Sequence, residues 1–387
     1  MLATAIHSSS RPIALALVLF AAACLSACLS GEDPPKQAGT DADGNAGDDG
    51  QGSTDGSDGG SGNGSDGGAE DGDGGGDGNI GEDGGGSASP AWENLAALNV
   101  ARAGHTSCAA GGRVFVFGGH DGKAHLDSVE VYDPGLDTWS LLDPMTLPRY
   151  GAACATVENR IYLFGGETYD GATYSLVSDV SEFDADTMTW TDCGGACAPM
   201  VVPRYLLGAA ALNGKIYVTG GLDSDGNPTA RLDEYDPDTD DWTDCGGACA
   251  MIPEARHNAA LVAFEGLLIL AGGGSPDQAK PEVWSFDAVA NVWEPLEPMP
   301  QGRCCMAASA GSGGNLYIFG GQTGAPALDN VLEYNPELSV WTEAPSMDAP
   351  RTSSAAAELS GLIYIAGGHD GSAAYFRATA RFNPEGD

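Results

Sequence analysis

The chain of 387 residues carries 55 acidic and 16 basic side chains, a net charge of −39, with 58 glycines and ten cysteines. So acidic a chain argues against nucleic acid and against adsorption to anionic lipid, both of which need clustered Lys and Arg. The charge is unevenly spread: residues 31–90 hold 15 acids, one Lys and 22 glycines, whereas residues 91–387 keep 40 acids against 14 bases.

In chain order, Arg11 is followed by an uncharged apolar run, Ile13 to Ala23. That run is too short to span a bilayer, for which about 20 residues are needed, and it reads as an export signal over residues 1–27. Leu25-Ser26-Ala27-Cys28 closes it and resembles the lipobox of bacterial lipoproteins, in which the cysteine becomes the lipidated first residue. The resemblance implies an exported bacterial lipoprotein with Cys28 as its anchor, at the outer membrane or cell surface, since Leu29 rather than Asp follows. The ordinary secretory signal is the plainer alternative. Residues 28–90, rich in Asp, Gly and Ser, cannot bury enough apolar surface to offset their ordering entropy and are expected to form a disordered linker. Asp-Gly repeats also suggest calcium, but Ile80 is the one aliphatic residue of residues 31–90, and calcium-binding nonapeptides need one in every repeat.

From residue 91 a unit recurs six times. Each opens with an arginine (Arg102, Arg149, Arg204, Arg256, Arg303, Arg351) and continues to a short β-type run. The run ends in a diglycine: Gly118-Gly119, Gly165-Gly166, Gly220-Gly221, Gly272-Gly273, Gly320-Gly321 and Gly367-Gly368. An aromatic followed by Asp or Asn comes next, and in five units a tryptophan seven residues beyond the aromatic: Trp139, Trp190, Trp242, Trp293 and Trp341. Short apolar runs bounded by glycine and by Asp/Asn turns are strands.

This set, at a period near 50 residues, resembles the kelch repeat, which implies an all-β, six-bladed kelch-type β-propeller with four strands per blade over residues 91–387. The sixth unit lacks its tryptophan. Trp92, ten residues before Arg102, has the offset of Trp139 to Arg149. Residues 91–98 are therefore expected to supply the outermost strand of the last blade, joining the two ends of the ring.

Strand order places the loops after each diglycine and the links between blades on one face, here called face one. Candidate binding residues there are His120, Asp121, Glu167, Tyr169, Asp223, Asp225, His369 and Asp370, together with the six arginines. The arginines read either as an anion receptor at the channel mouth or as scaffold paired to nearby acids. His120 and His369, with Asp121 and Asp370, either hold a transition metal or form ordinary turns; the turn is the simpler reading, and no metal site is assigned. Blades two and three share the string Trp-Thr-Asp-Cys-Gly-Gly-Ala-Cys-Ala, so Cys193 with Cys197 and Cys245 with Cys249 are candidate local disulfides, the rival being one zinc held by all four thiolates. Cys108 and Cys154 are buried small hydrophobes or a further bond. Cys304-Cys305 has no assigned role.

The expected function is an envelope-anchored, non-catalytic, monomeric binding module that presents face one to a protein or glycan, with no cofactor. Two alternatives stand beside it. Kelch resemblance also implies exported sugar mutarotases or epimerases, for which His105, His257 and Glu167 are acid–base candidates. A structural envelope component is the other.

Overall fold

The structure, a computed structural model, describes residues 91–386 apart from 192, 194, 195, 244–249 and 325. The expected signal 1–27, the lipidation site Cys28, the linker 28–90 and the Cys245–Cys249 pair lie outside the described residues.

Six four-stranded antiparallel sheets follow one another. In blade 1 the strands are Thr106–Ala110, Arg113–Phe117, Val129–Asp133 and Thr138–Leu142, from the axis outward. The second strand is apolar at every position after Arg113, and its surroundings explain why. Val114 and Val116 pack toward blade 6 with Tyr364, whereas Phe115 and Phe117 pack toward blade 2 with Ile161 and Phe183. Both faces of the sheet are covered, so the alternation of a half-exposed strand is lost. The outer strand Thr138–Leu142, at the rim, recovers it: only Trp139 is fully buried there.

Blade 6 is completed by the strand Trp92–Leu95, which pairs antiparallel with Thr379–Phe382 in the register Trp92 to Phe382. Each of the tryptophans in blades 2 to 5 donates its indole N–H to a carbonyl of the preceding blade, as Trp190 does to Asp143 and Trp341 to Glu297. Trp92 does the same toward blade 5, donating to the Pro345 carbonyl at 2.8 Å, and so stands where the missing sixth tryptophan belongs.

The arginine and the diglycine form one repeated clasp. The N–H of the second glycine donates to the backbone carbonyl of the next blade's arginine, from Gly119 to Arg149 at 2.8 Å round to Gly368 and Arg102 at 2.8 Å. The first glycine lies against that same carbonyl with positive φ; a Cβ on Gly367 would sit 2.6 Å from the Arg102 oxygen, so no other residue fits. In four blades the guanidinium also donates to the first glycine's carbonyl of its own blade, as Arg102 does to Gly118 at 2.7 Å. The six arginines are at most 5% exposed. Buried to this degree, they do not line an accessible mouth: their contacts include backbone carbonyls, the Ser128 and Ser181 hydroxyls and, for Arg102 and Arg204, the carboxylates of Glu130 and Asp233, which is the scaffold arrangement.

The cysteines also resolve. Cys108 and Cys154 form a disulfide that links the inner strands of blades 1 and 2. Cys193 and Cys197 are bonded to each other, so they offer no thiolates to the four-thiolate zinc alternative. No helix among the described residues is long and apolar enough to cross a membrane.

Candidate functional site on face one

Two residues after each arginine the chain enters the left-handed region. Gly104, Gly151, Leu206, Asn258, Cys305 and Ser353 have φ between 52° and 64°. This turns each N–H toward the neighbouring blade. Gly151 donates to Gly104 (2.9 Å), Leu206 to Gly151 (2.7 Å), Asn258 to Leu206 (2.9 Å), Cys305 to Asn258 (3.2 Å), Ser353 to Cys305 (2.7 Å) and Gly104 to Ser353 (2.9 Å), closing a ring of backbone bonds about the axis. The channel that this ring and the inner strands enclose has a volume of about 200 Å³. That is below the roughly 300–1,000 Å³ of an ordinary small-molecule pocket.

Outside the ring, face one is built from two further positions per blade. In five blades the residue after the arginine (Ala103, Tyr150, Tyr205, Cys304, Thr352) exchanges backbone bonds with the residue after the diglycine (His120, Glu167, Leu222, Gln322, His369) as a β-bridge; in blade 4 Gly274 N–H donates to the His257 carbonyl. The return of each loop then brings in one more residue, among them His125 against His120 and Tyr375 against His369.

In blades 6, 1 and 2 these positions assemble a continuous row of aromatic rings. His369 lies 5.7 Å from Tyr375, Tyr375 5.8 Å from His120, and His120 5.5 Å from His125. His125 stacks on Tyr150 at 5.5 Å and meets Tyr174 at 5.8 Å, and Tyr174 stacks on Tyr169 at 4.5 Å. The last pair sits on a hairpin, Glu167–Tyr169 with Tyr174–Leu176, that no other blade has among the described residues. Tyr169, at 38% exposed, is the outer end of the row.

Glu167 is the ionisable group set into this row. It is 8% exposed, and burial pushes its carboxyl up to about 7. His125 Nε2 stands 3.9 Å from its Oε1, and burial, with His120 next to it, holds His125 down to about 4. Around neutral pH the site therefore holds a neutral imidazole beside a carboxyl that can take or release a proton.

The remaining candidates fall into place separately. His120 Nδ1 accepts the Gly122 N–H at 2.9 Å and His369 Nδ1 accepts the Gly371 N–H at 3.1 Å, so both His-Asp-Gly segments are turns closed by the imidazole itself. Asp121, Asp223 and Asp370 likewise accept backbone N–H groups two to four residues on. Asp223 and the exposed Asp225 belong to blade 3 and do not join the row. His105 is buried against Gly367, where Leu207 and Met306 occupy the same place in other blades, and burial holds it down to about 3. His257 is in blade 4, held down to about 4 by burial. The three acid–base candidates are thus dispersed, and only Glu167 lies in the row. Sequence reading misses His125, Tyr150, Tyr174 and Tyr375; aligning the blade loops on the residue that returns to the diglycine would have singled out His125 and Tyr375.

A clasped ring of six blades carrying the Arg, Gly-Gly, Tyr-Asp and Trp positions is a kelch-type β-propeller. Known sequences agree. The KLHDC2/KLHL20/DRC7 Kelch-repeats domain matches residues 142–310, and the Kelch motif matches residues 101–146 and 303–348. The chain is similar to Kelch-like protein 35 of Mus musculus, 30% identical over 266 residues, 66% of this chain and 42% of that one. It is similar to Beta-scruin of Limulus polyphemus, 25% identical over 282 residues, 66% of this chain and 29% of that one. Kelch-like protein terF of Aspergillus terreus is 30% identical over 255 residues, 59% of this chain and 53% of that one. The chain thus spans about half or less of the length of these relatives. Among solved structures, that of YjhT superposes with a TM-score of 0.64 at 17% identity, covering 74% of this chain and 95% of the other, which is a likeness of fold. Kelch propellers commonly serve as protein-interaction modules.

Proposed function

We propose that the protein is a binding module without catalytic activity that presents face one to a protein or glycan partner, and that it is carried on the cell envelope by lipid at Cys28, with the acidic segment 28–90 between the anchor and the propeller. The observation that carries the reading is the row of rings from His369 to Tyr169. It is a wide, rigidly backed surface ending in an exposed aromatic hairpin, next to a channel too small for an ordinary ligand pocket. Rigid aromatic side chains give much contact area for little lost entropy, which suits them to interface centres. The test is capture from envelope extracts and on a glycan array with the wild type, a Tyr169→Ser/Tyr174→Ser variant and a Val289→Ser variant on the opposite face. The reading requires that only the first variant loses the captured partner. Retention by both variants would refute it. Replacement of Cys28 by Ala should release the protein from the membrane fraction.

A second reading rests on Glu167, whose carboxyl at about 7 suits proton transfer at a sugar's anomeric or adjacent carbon. Under it, the wild type accelerates anomer exchange of a free sugar followed by NMR, and Glu167→Gln does not.

A further inference from the structure

Cys304 and Cys305 are adjacent in the chain and remain as thiols, while Cys108, Cys154, Cys193 and Cys197 are paired in disulfides. Their sulfurs are 3.1 Å apart. Neither cysteine is required by the architecture. The same two places in the other blades hold Ala103-Gly104, Tyr150-Gly151, Tyr205-Leu206, His257-Asn258 and Thr352-Ser353, which share only the backbone geometry. That geometry is what brings the sulfurs together. Cys305 is held at φ 57° by the ring of backbone bonds, and Cys304 is fixed by its bridge to Gln322, so the two Cβ atoms cannot swing apart as they would in an extended strand.

The two thiols differ in access. Cys304 is 0% exposed, whereas Cys305 is 7% exposed and belongs to the wall of the channel at its face-one end. A reagent entering from face one therefore meets Cys305 first and finds Cys304 directly behind it.

We propose that Cys304-Cys305 is a reactive dithiol, with Cys305 as the attacking and Cys304 as the resolving sulfur, that is oxidised by small disulfides to a bond between neighbouring residues. In the first step the Cys305 thiol gives up its proton, its sulfur attacks one sulfur of the disulfide, and the other half leaves as a thiolate that takes that proton. In the second step Cys304 loses its proton and attacks the Cys305 sulfur, expelling the remaining half as a second thiol. Two protein thiols are oxidised, one small disulfide is reduced to two thiols, and the protons balance. Neighbouring Cα atoms are about 3.8 Å apart across a trans peptide, short of the roughly 4.4–6.8 Å span of relaxed disulfides, so the closed ring is strained and readily reopened by thiols. Closure also has a structural reach. The Cys305 carbonyl accepts from Ser353 N–H at 2.7 Å and from Thr352 Oγ1 at 3.3 Å, and its N–H donates to Asn258 at 3.2 Å, so turning the Cys304–Cys305 peptide disturbs the bonded ring on both sides.

The experiment uses the full chain, reduced gently and then exposed in its native state to hydroxyethyl disulfide, quenched with an alkylating reagent and mapped by mass spectrometry. The peptide that begins at Cys304, after Arg303, should lose two hydrogens and carry neither an adduct nor an alkyl group. Dithiothreitol should restore both alkylatable thiols. Cys304→Ser should trap one hydroxyethylthio adduct on Cys305, and Cys305→Ser should leave Cys304 unmodified over the same time. Two outcomes overturn the proposal: a wild-type peptide that stays fully alkylatable, or one that ends as a lasting adduct without closing. Because the wild type alone decides between closure and its failure, a variant that folds poorly does not blur the answer. Amide hydrogen exchange at Ser353 should rise severalfold on closure, and unchanged exchange would refute the coupling to the ring.

Discussion

Trp92→Ala tests the closure of the ring. The indole is half-buried; its ring packs 5.0 Å from Phe382 and 5.9 Å from Phe319, and its N–H is bonded to the Pro345 carbonyl. Full burial of a tryptophan would make its truncation cost about 3–5 kcal/mol; half of that, about 2, applies here. The lost hydrogen bond adds about 1 kcal/mol, for a total of about 3. For a domain of this size, with an unfolding entropy of about 2.1 cal/mol/K per residue, that lowers the melting temperature by about 5 °C. Trp92→Phe keeps the ring contacts and loses the bond, so it should fall by about 2 °C. Differential scanning calorimetry on the two variants and on a protein lacking residues 91–98 gives the answer. The deletion exposes the whole edge of Thr379–Phe382 and should be the least stable of the three. If Trp92→Ala melted within 1 °C of the wild type, the strand would not be holding the ring, and the reasoning from the repeated indole bonds would fail.

Three further outcomes follow from the buried charges and bonds. Glu130→Ala leaves the fully buried Arg102 guanidinium without its carboxylate and strands the Asn99 and Val100 N–H groups, so it should cost about 3–5 kcal/mol in urea unfolding; Arg113→Ala, at a solvent-exposed pair with Asp133, should cost less than about 1. The Glu167 carboxyl, raised from 4.5 to about 7, binds its proton more tightly folded than unfolded, so its stabilisation is complete below pH 4.5 and is lost as pH climbs to 7. Glu167→Gln should therefore melt close to the wild type at pH 4 and above it at pH 8 by about 2 kcal/mol, after allowance for partial solvent screening; a constant offset across that range would contradict the buried carboxyl. Removal of the Cys108–Cys154 bond, which closes a loop of 46 residues, should cost about 4 kcal/mol, against about 2 for Cys193–Cys197 with its separation of four, as read by guanidinium unfolding of Cys154→Ala and Cys197→Ala.

The blade count, the strand order and the closing role of Trp92 are legible in the sequence because each depends on a residue that recurs for a local reason. A carbonyl sits where a Cβ would be, and an indole reaches the blade before it. The arginines are legible as positions but divided as to role, since a repeat shows that a residue is needed without showing which way it faces. The row of rings is legible only in part. His120, Glu167, Tyr169 and His369 are found because they follow the diglycine. Tyr150 and His125 stack through a contact between different blades, and Tyr375 meets His120 only because the ring closes. Such contacts belong to the closed circle and to no single repeat. The bond between Cys108 and Cys154 is of the same kind: each cysteine looks like a small apolar residue until the inner strands of two blades are set side by side.

The pairing of Tyr150 with Glu167, Tyr205 with Leu222 and Cys304 with Gln322 through backbone atoms alone has a consequence for how such a surface changes over time. In five blades the ten side chains of these bridged pairs are held in position by backbone amides, while the clasp beneath them depends on two residue types that do not vary among the blades of this one molecule. Recognition is thereby uncoupled from folding: the rim is a palette that substitution can repaint one blade at a time, and a new specificity needs no new architecture.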